Sequence, residues 1–258
     1  MPGWDWGAFQ RYLANRFLLE GVWTTVWLSV VVMALGLLVG LLAALMNLSR
    51  HPVPHTVARF YLWLIRGTPL LIQLIIIYTG LPQIGIRFNV VQSALIGMVL
   101  NEGAYLSEII RAGILSVPKG QYDAARALGM TYPVLMRVVV MPQAARVIIP
   151  PLGNNFNGLL KTTSLVSVIS MEELLRRSQM LIQLEFRVLE IFLVAALYYL
   201  TLTTLWGLVQ RRLEAHFGRS VAAATESQVP GGPGTVTSQP IRASGTAADR
   251  AVLEQDLR

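Results

Sequence analysis

Residues 21–49 read GVWTTVWLSVVVMALGLLVGLLAALMNLS, and no charged residue occurs between Glu20 and Arg50. A helix needs only ~20 mostly apolar residues to cross ~30 Å of hydrocarbon, so this run is long enough to span a bilayer. Its apolar core also exceeds the ~7–15 residues of a cleavable secretion signal, so it reads as a retained membrane helix. Four further runs follow. The second begins after Arg66 and ends at Arg87; the third lies at about 90–112 and carries Glu102 and Glu108. The fourth, about 147–170, carries Lys161, and the fifth extends from about Ile191 to Gln210. The runs are too long and too apolar for barrel strands, which leaves helices as the spanning form. The expectation is an all-α membrane protein with five transmembrane helices.

Composition agrees. Of 258 residues, 54% are hydrophobic and 14% charged, against ~25% charged in soluble domains. Mean hydropathy is +0.54. These figures exclude a disordered protein and argue against an ordinary soluble enzyme. There is no cysteine, so disulfides, thiolate metal sites and cysteine nucleophiles are excluded. The net charge is +7, from 21 basic and 14 acidic residues. In a membrane protein such an excess sets orientation rather than binding nucleic acid. Arg50, Arg59, Arg66, Arg111, Lys119, Arg126, Arg137, Arg146, Arg211, Arg212 and Arg219 fall on one side of the five spans. The other side has Arg11, Arg16, Arg87, Arg176, Arg177 and Arg187. The richer side is assigned to the cytoplasm, which puts the N-terminus outside and the C-terminus inside.

Three regions follow. Residues 1–19, with Trp4, Trp6, Phe9, Tyr12 and Phe17, form an external interfacial segment. Residues 20–215 form the membrane domain. Residues 216–258 form a cytoplasmic and mostly disordered tail, because VPGGPGTVTSQP is rich in Gly, Pro, Ser and Thr and has no core pattern.

The long loop between the third and fourth spans contains Gly120-Gln121-Tyr122-Asp123-Ala124-Ala125-Arg126-Ala127-Leu128-Gly129-Met130. The expectation is a short helix with Asp123 in its first turn, where the dipole favours an acid. Ala124 and Ala125 would give it a small-residue face open to close approach. Gly129 would end it in the left-handed conformation, and Pro133 would discourage continuation. After Gly129 and nine intervening residues come Val139-Val140-Met141-Pro142. Acid-Ala-Ala, three residues, Gly, nine residues and an Ile-x-Leu-Pro ending is the cytoplasmic signature of the permease subunits of ATP-binding-cassette importers, which this chain resembles. Asp stands for Glu, Val for Ile and Met for Leu. Arg66-Gly67-Thr68-Pro69-Leu70-Leu71-Ile72-Gln73 and Gly103-Ala104-Tyr105-Leu106-Ser107-Glu108-Ile109-Ile110-Arg111-Ala112-Gly113-Ile114 narrow the resemblance to the polar amino acid uptake branch (histidine, glutamate, glutamine, arginine or opine type). Leu160-Lys161-Thr162-Thr163-Ser164-Leu165 also resembles that branch, although many members carry Asp where Thr162 stands. The resemblance covers about residues 20–215.

That resemblance implies the transmembrane domain of a type I importer, with a cytoplasmic coupling helix between the third and fourth spans. Gly120, Asp123, Ala124, Ala125, Leu128, Gly129 and Pro142 would carry the coupling. The implied partners are a second permease subunit, identical or not, two cytoplasmic ATP-binding subunits and an extracytoplasmic substrate-binding protein. The implied location is the cell inner membrane, with lipid around the spans. No cofactor, metal or catalytic residue is expected in this chain.

Ionisable groups inside a span are costly and normally face a cavity or a partner. On the third span Asn101, Tyr105, Glu108 and Ala112 share a stripe, with Glu102 about 100° away. Glu108 and Arg111, three apart, are read as a structural ion pair near the cytoplasmic end. Asn101 and Glu102 lie deeper and either face substrate or make an interhelical hydrogen bond. On the fourth span Asn154, Asn157, Lys161 and Ser164 form a second stripe, flanked by Asn155 and Thr162. Two polar stripes on neighbouring helices would frame a path. In it Glu102 would meet an α-ammonium, and Thr162, Ser164 or an amide would meet the carboxylate. Lys161 can instead snorkel to the interface. The absent acid at Thr162 weakens the case for a cationic substrate and leaves opines and compatible solutes open. Thr68 is expected to cap the second span, with Pro69 in its first turn.

Other function classes fare worse. Gly153-Asn154-Asn155-Phe156-Asn157-Gly158 imitates a phosphate loop, but Lys161 is displaced from the required place and lies within a span. An intramembrane enzyme needs a nucleophile–base or metal constellation at depth, whereas His51, His55 and His216 all lie at cytoplasmic ends. A self-contained channel or secondary transporter remains the alternative that uptake by this chain alone would support.

Overall fold

A computed structural model describes residues 4–226, with side chains as far as 215. Among the described residues all regular structure is helical. The packing below belongs to one compact unit that ends at Val221. Ten α-helical segments follow in order: α1 (Trp6–Leu13), α2 (Arg16–Asn47), α3 (Pro52–Arg66), α4 (Leu70–Ile75), α5 (Val90–Leu115), α6 (Lys119–Ala127), α7 (Tyr132–Leu135), α8 (Met141–Thr162), α9 (Leu174–Glu185) and α10 (Val188–Glu226). The tail expected from 216 thus has a helical backbone as far as Glu226, and its remainder lies outside the described residues, as do residues 1–3.

Helix α1 starts on Asp5, whose carboxylate accepts from the amides of Gly7 and Ala8 at 2.9 and 3.0 Å. These amides, with Arg187 and Arg11 nearby, hold the Asp5 carboxyl below its ordinary value despite the opposing effect of burial. Trp6 meets Trp4 and Phe9 edge to face, with Trp4 and Phe9 tilted on each other, while Ala8 and Tyr12 are buried against Leu18, Leu181, Ile191 and Val194. Asn15 caps α2 through the amides of Phe17 and Leu18.

Helix α2 buries one stripe (Leu18, Gly21, Thr25, Leu28, Val32, Gly36, Gly40, Ala43) against its neighbours. Its other faces leave Leu38 66% and Leu42 61% exposed, a surface suited to lipid rather than water. Its main partner is α5. The seam is close because it is built on glycine: a Cβ at Gly40 would stand 2.9 Å from the Leu106 Cβ and 3.0 Å from the Gly103 carbonyl oxygen. In lipid such close backbone approach, rather than exclusion of water, holds helices together. Asn89 and Gln92 form a reciprocal capping box that starts α5.

The second expected span, after Arg66, is the second limb of a bent pair. Helices Pro52–Arg66 and Leu70–Ile84 meet at a 99° bend. The second limb comprises α4, a π-helical turn and a 3-10 turn. At 1.5 Å per residue it extends only ~22 Å. Among the described residues, three helices are long and apolar enough to cross a membrane by themselves, or four with the bent pair taken as one. Helix α5 has 26 residues, enough length to cross, and carries Asn101, Glu102, Glu108 and Arg111 along it. The fourth span is a continuous helical stretch, Tyr132–Ile169, with a π-helical turn at Met136–Val140. Both π-helical turns end two residues before a proline: the intervening Leu81 and Met141 donate to the carbonyls five residues back, ahead of Pro82 and Pro142. Proline has no N–H to continue the ordinary ladder. Pro150 and Pro151 lie within α8 further on without breaking it.

Candidate functional site

Helix α6 is anchored from below and bare above. Ala125 is buried with Ile110, Ile114, Val117, Leu135, Val140 and Ala144, and Tyr122 packs on the same cluster. Burial pushes the Tyr122 phenol above its ordinary value, so it stays protonated and donates to the Ile114 carbonyl at 3.1 Å. The helix ends in a Schellman motif. The Gly129 amide donates to Arg126 O at 2.9 Å and the Met130 amide to Ala125 O at 3.1 Å, and Gly129 has φ +74 as expected. Leu128 is left 77% exposed.

Two expectations about this helix are corrected. Asp123 is not in the first turn, because α6 begins at Lys119 after Pro118. It stands mid-helix in an exposed pairing with Arg126 at 4.0 Å. Nor do the two alanines share one open face: Ala125 points inward, while Ala124 lies outside with Gln121, Asp123 and Leu128. Successive helical residues are 100° apart, so one alanine serves packing and the other is free for a partner. Gly120 is exposed, and Pro142 stands in the first turn of α8, just after the π-helical turn.

The polar residues of α5 face different ways. Glu102 is buried and packs on Gly36 of α2, with the Asn155 side chain of α8 nearby. One oxygen of Glu102, the Asn155 Oδ1 and the Asn157 Oδ1 are buried without partners. Asn101 turns toward α4, donating to Gln73 Oε1 at 3.3 Å. Tyr105 is exposed, beneath the Arg66 guanidinium at 5.6 Å. The pair between Glu108 and Arg111 forms at 3.4 Å, and Arg66 joins Glu108 at 3.7 Å. On α8, Asn154 accepts from Gln210 of α10 at 2.8 Å, so Asn155, not Asn154, meets α5. Thr162 and Ser164 donate back to the carbonyls of Gly158 and Lys161, and Lys161 is exposed.

Thr68 does not cap α4. Its hydroxyl donates to Leu64 O at 2.9 Å, and Pro69 occupies the cap position. The bend is instead held by Gln73, whose Nε2 lies 2.7 Å from Ile65 O, 3.1 Å from Thr68 O and 2.8 Å from Thr68 Oγ1. The proline-led turn leaves these acceptors without helical donors, and one amide side chain meets them. Sequence reading quoted Gln73 within its motif without assigning this role; its only signal was a lone amide in an apolar run after Pro69.

The model for the binding-protein-dependent transport system inner membrane component matches residues 36–219. The arginine transport system permease protein of Corynebacterium glutamicum is 37% identical over 92% of this chain and 82% of its own length. The L-cystine transport system permease protein of Bacillus subtilis is 41% identical over 80% of this chain and 88% of its own. The glutamine transport system permease protein of Escherichia coli K12 is 38% identical over 81% and 96%. A solved amino acid ABC transporter with histidines contains a chain that is 36% identical, with a TM-score of 0.78, over 83% of this chain and 100% of that one. An inward-facing methionine ABC transporter shares the fold, at 18% identity and a TM-score of 0.66 over 78% of this chain. The architecture is that of a type I ABC importer transmembrane domain. By the extent of the family match and the identity of these relatives, the chain belongs to the inner membrane components of binding-protein-dependent transport systems.

Proposed function

We propose that this permease carries a polar amino acid into the cytoplasm by alternating access, driven by ATP hydrolysed on two separate subunits. The observation that carries the mechanism is the division of α6. Tyr122 and Ala125 fix it to the membrane domain, while Ala124 and Leu128 present an unpartnered surface. A helix built so transmits a displacement to α7, α8 and α5, whose side chains share its buried cluster. ATP-driven closure of a gripping pair would move α6, and the spans would exchange inward- for outward-facing arrangements. This requires no catalytic group in the chain.

The substrate class rests on the relatives: three permeases named for arginine, cystine and glutamine transport are more than a third identical to this chain over the aligned residues. Glu102 beside Asn155 supports an α-ammonium site, because a buried carboxylate oxygen and the Asn155 oxygen lack partners there. Thr162 in place of an acid favours a neutral polar side chain over a cationic one. The full scheme has five spans, the N-terminus outside, the C-terminus inside, a second permease copy, and a binding protein on the outer face. Residues 1–19 would lie at the external interface.

Proteoliposomes holding the chain with its ATPase and binding protein are expected to take up a polar amino acid only with ATP. In the same vesicles Glu102→Gln is expected to reduce uptake at least tenfold at normal expression. Uptake by this chain alone would overturn the proposal in favour of a self-contained transporter.

A further inference from the structure

Asn47 of α2, His55, Arg59 and Leu62 of α3, and Glu108 and Arg111 of α5 line a cavity of about 240 Å³. Three guanidiniums, Arg59, Arg66 and Arg111, surround the single carboxylate of Glu108, which pairs with the latter two at 3.7 and 3.4 Å. The cluster therefore carries two positive charges in excess. Arg59 makes no ion pair or hydrogen bond among the described residues, and the Nε of Arg111 is buried without an acceptor. His55 Nδ1 lies 2.8 Å from the Asn47 carbonyl. A carbonyl only accepts, so that nitrogen carries the hydrogen and Nε2 is the ring's remaining polar atom. Donors predominate, and an acceptor-rich anion is the complementary ligand.

Two neighbouring features select among anions. A second cavity of about 280 Å³ is lined by Val39, Leu42, Ala43 and Met46 of α2 with Val57 and Tyr61 of α3. It adjoins the basic one along the same two helices and is almost wholly apolar. In addition, α3 turns Val53, Val57, Phe60 and Trp63 outward, Trp63 being 70% exposed. An amphipathic helix of this kind beds its apolar face among acyl chains and keeps its basic face at the headgroups.

We propose that the basic cavity holds the phosphodiester of an anionic phospholipid, with Arg59 and Arg111 on the phosphate and an acyl chain in the apolar cavity beside it. Basic pockets between membrane helices on the cytoplasmic side are suited to such headgroups. The choice of leaflet rests on the sidedness proposed above; the binding itself does not.

The test is native mass spectrometry of the purified full chain in detergent. The probes are phosphatidylglycerol, phosphatidylcholine with the same acyl chains, and glycerol 3-phosphate. Phosphatidylglycerol is expected to be retained preferentially. Arg59→Gln and Arg111→Gln should each weaken that retention about fivefold, the effect of one basic residue near an anionic lipid. Arg59→Lys, which keeps the charge, should retain it. Glu108→Gln, which removes the competing carboxylate, should strengthen it. Equal retention of the two lipids overturns the proposal. So does glycerol 3-phosphate binding as tightly as the lipid, which would mark a soluble-anion site. A change confined to the ratio of monomer to dimer in Arg59→Gln would assign the cluster to a second copy instead. No arm depends on transport, so failure here leaves the importer reading intact.

Discussion

Gly129 and Leu128 stand side by side at the end of α6 and fail in different ways. Gly129 has φ +74, and a Cβ there would meet nothing within 4 Å, so substitution is penalised by backbone conformation alone. A β-branched residue in this region costs ~1–2 kcal/mol. Gly129→Val is therefore expected to leave the permease in the membrane while redirecting the chain that leaves α6, so that uptake per ATP hydrolysed falls severalfold. Normal coupling in that variant would count against the turn as a functional device. Leu128 is exposed, so Leu128→Asp should shift thermal stability by no more than ~0.5 kcal/mol, as surface changes do. Uptake by the assembled importer should nonetheless drop at least tenfold. At this scale Gly129 and the pair of Glu108 with Arg111 were legible, because a left-handed turn and a three-residue spacing follow from chain geometry. Asp123 was misread, because the start of α6 is set by Pro118, which carries no capping side chain to mark it.

Elements were legible where charge was absent and obscure where glycine governed. The long runs announced α2, α8 and α10 through hydropathy. Nothing in hydropathy announces the seam of α2 on α5, where Gly36, Gly40 and Gly103 let two backbones meet. Gly40→Ala should lower the melting temperature, by an overpacking cost of ~1–3 kcal/mol, since the Gly103 carbonyl cannot move aside as a side chain can. Gly158→Ala, with open space around its Cβ, should be neutral or slightly stabilising in the same assay, because alanine is the better residue within a helix. The 99° bend between α3 and α4 was also invisible, because an apolar run records length and not direction. The N-terminal helix offers a pH test. Amide hydrogen bonds hold Asp5 below its ordinary value of 3.8, so the stabilisation is complete above that value and is lost as pH falls through the depressed one. Tryptophan emission reporting α1 docking should be constant from pH 7 to about 4 and change only below. Asp5→Asn should remove that acid transition.

At the scale of the whole molecule, the exposed Leu, Val and Ile side chains and the sided distribution of arginine fit one arrangement, a bundle in lipid with α6 on the basic side. The sequence carried this much because bilayer insertion is a matter of composition and length. It did not carry which polar residues meet. The stripe on α8 is turned so that Asn155 reaches Glu102 while Asn154 reaches Gln210, a rotation of one residue set by packing with α10. The proposed coupling requires that an ATP-hydrolysing subunit grip the bare face of α6. The chain has no cysteine, so single replacements give an unambiguous chemical handle. The most direct measurement is cross-linking in native inside-out vesicles with Ala124→Cys, Leu128→Cys and the buried Ala125→Cys. Nucleotide-sensitive adducts with the ATPase subunit are expected from the first two and none from the third; ATP-driven uptake without any adduct from either exposed position would show that α6 is not the gripped element.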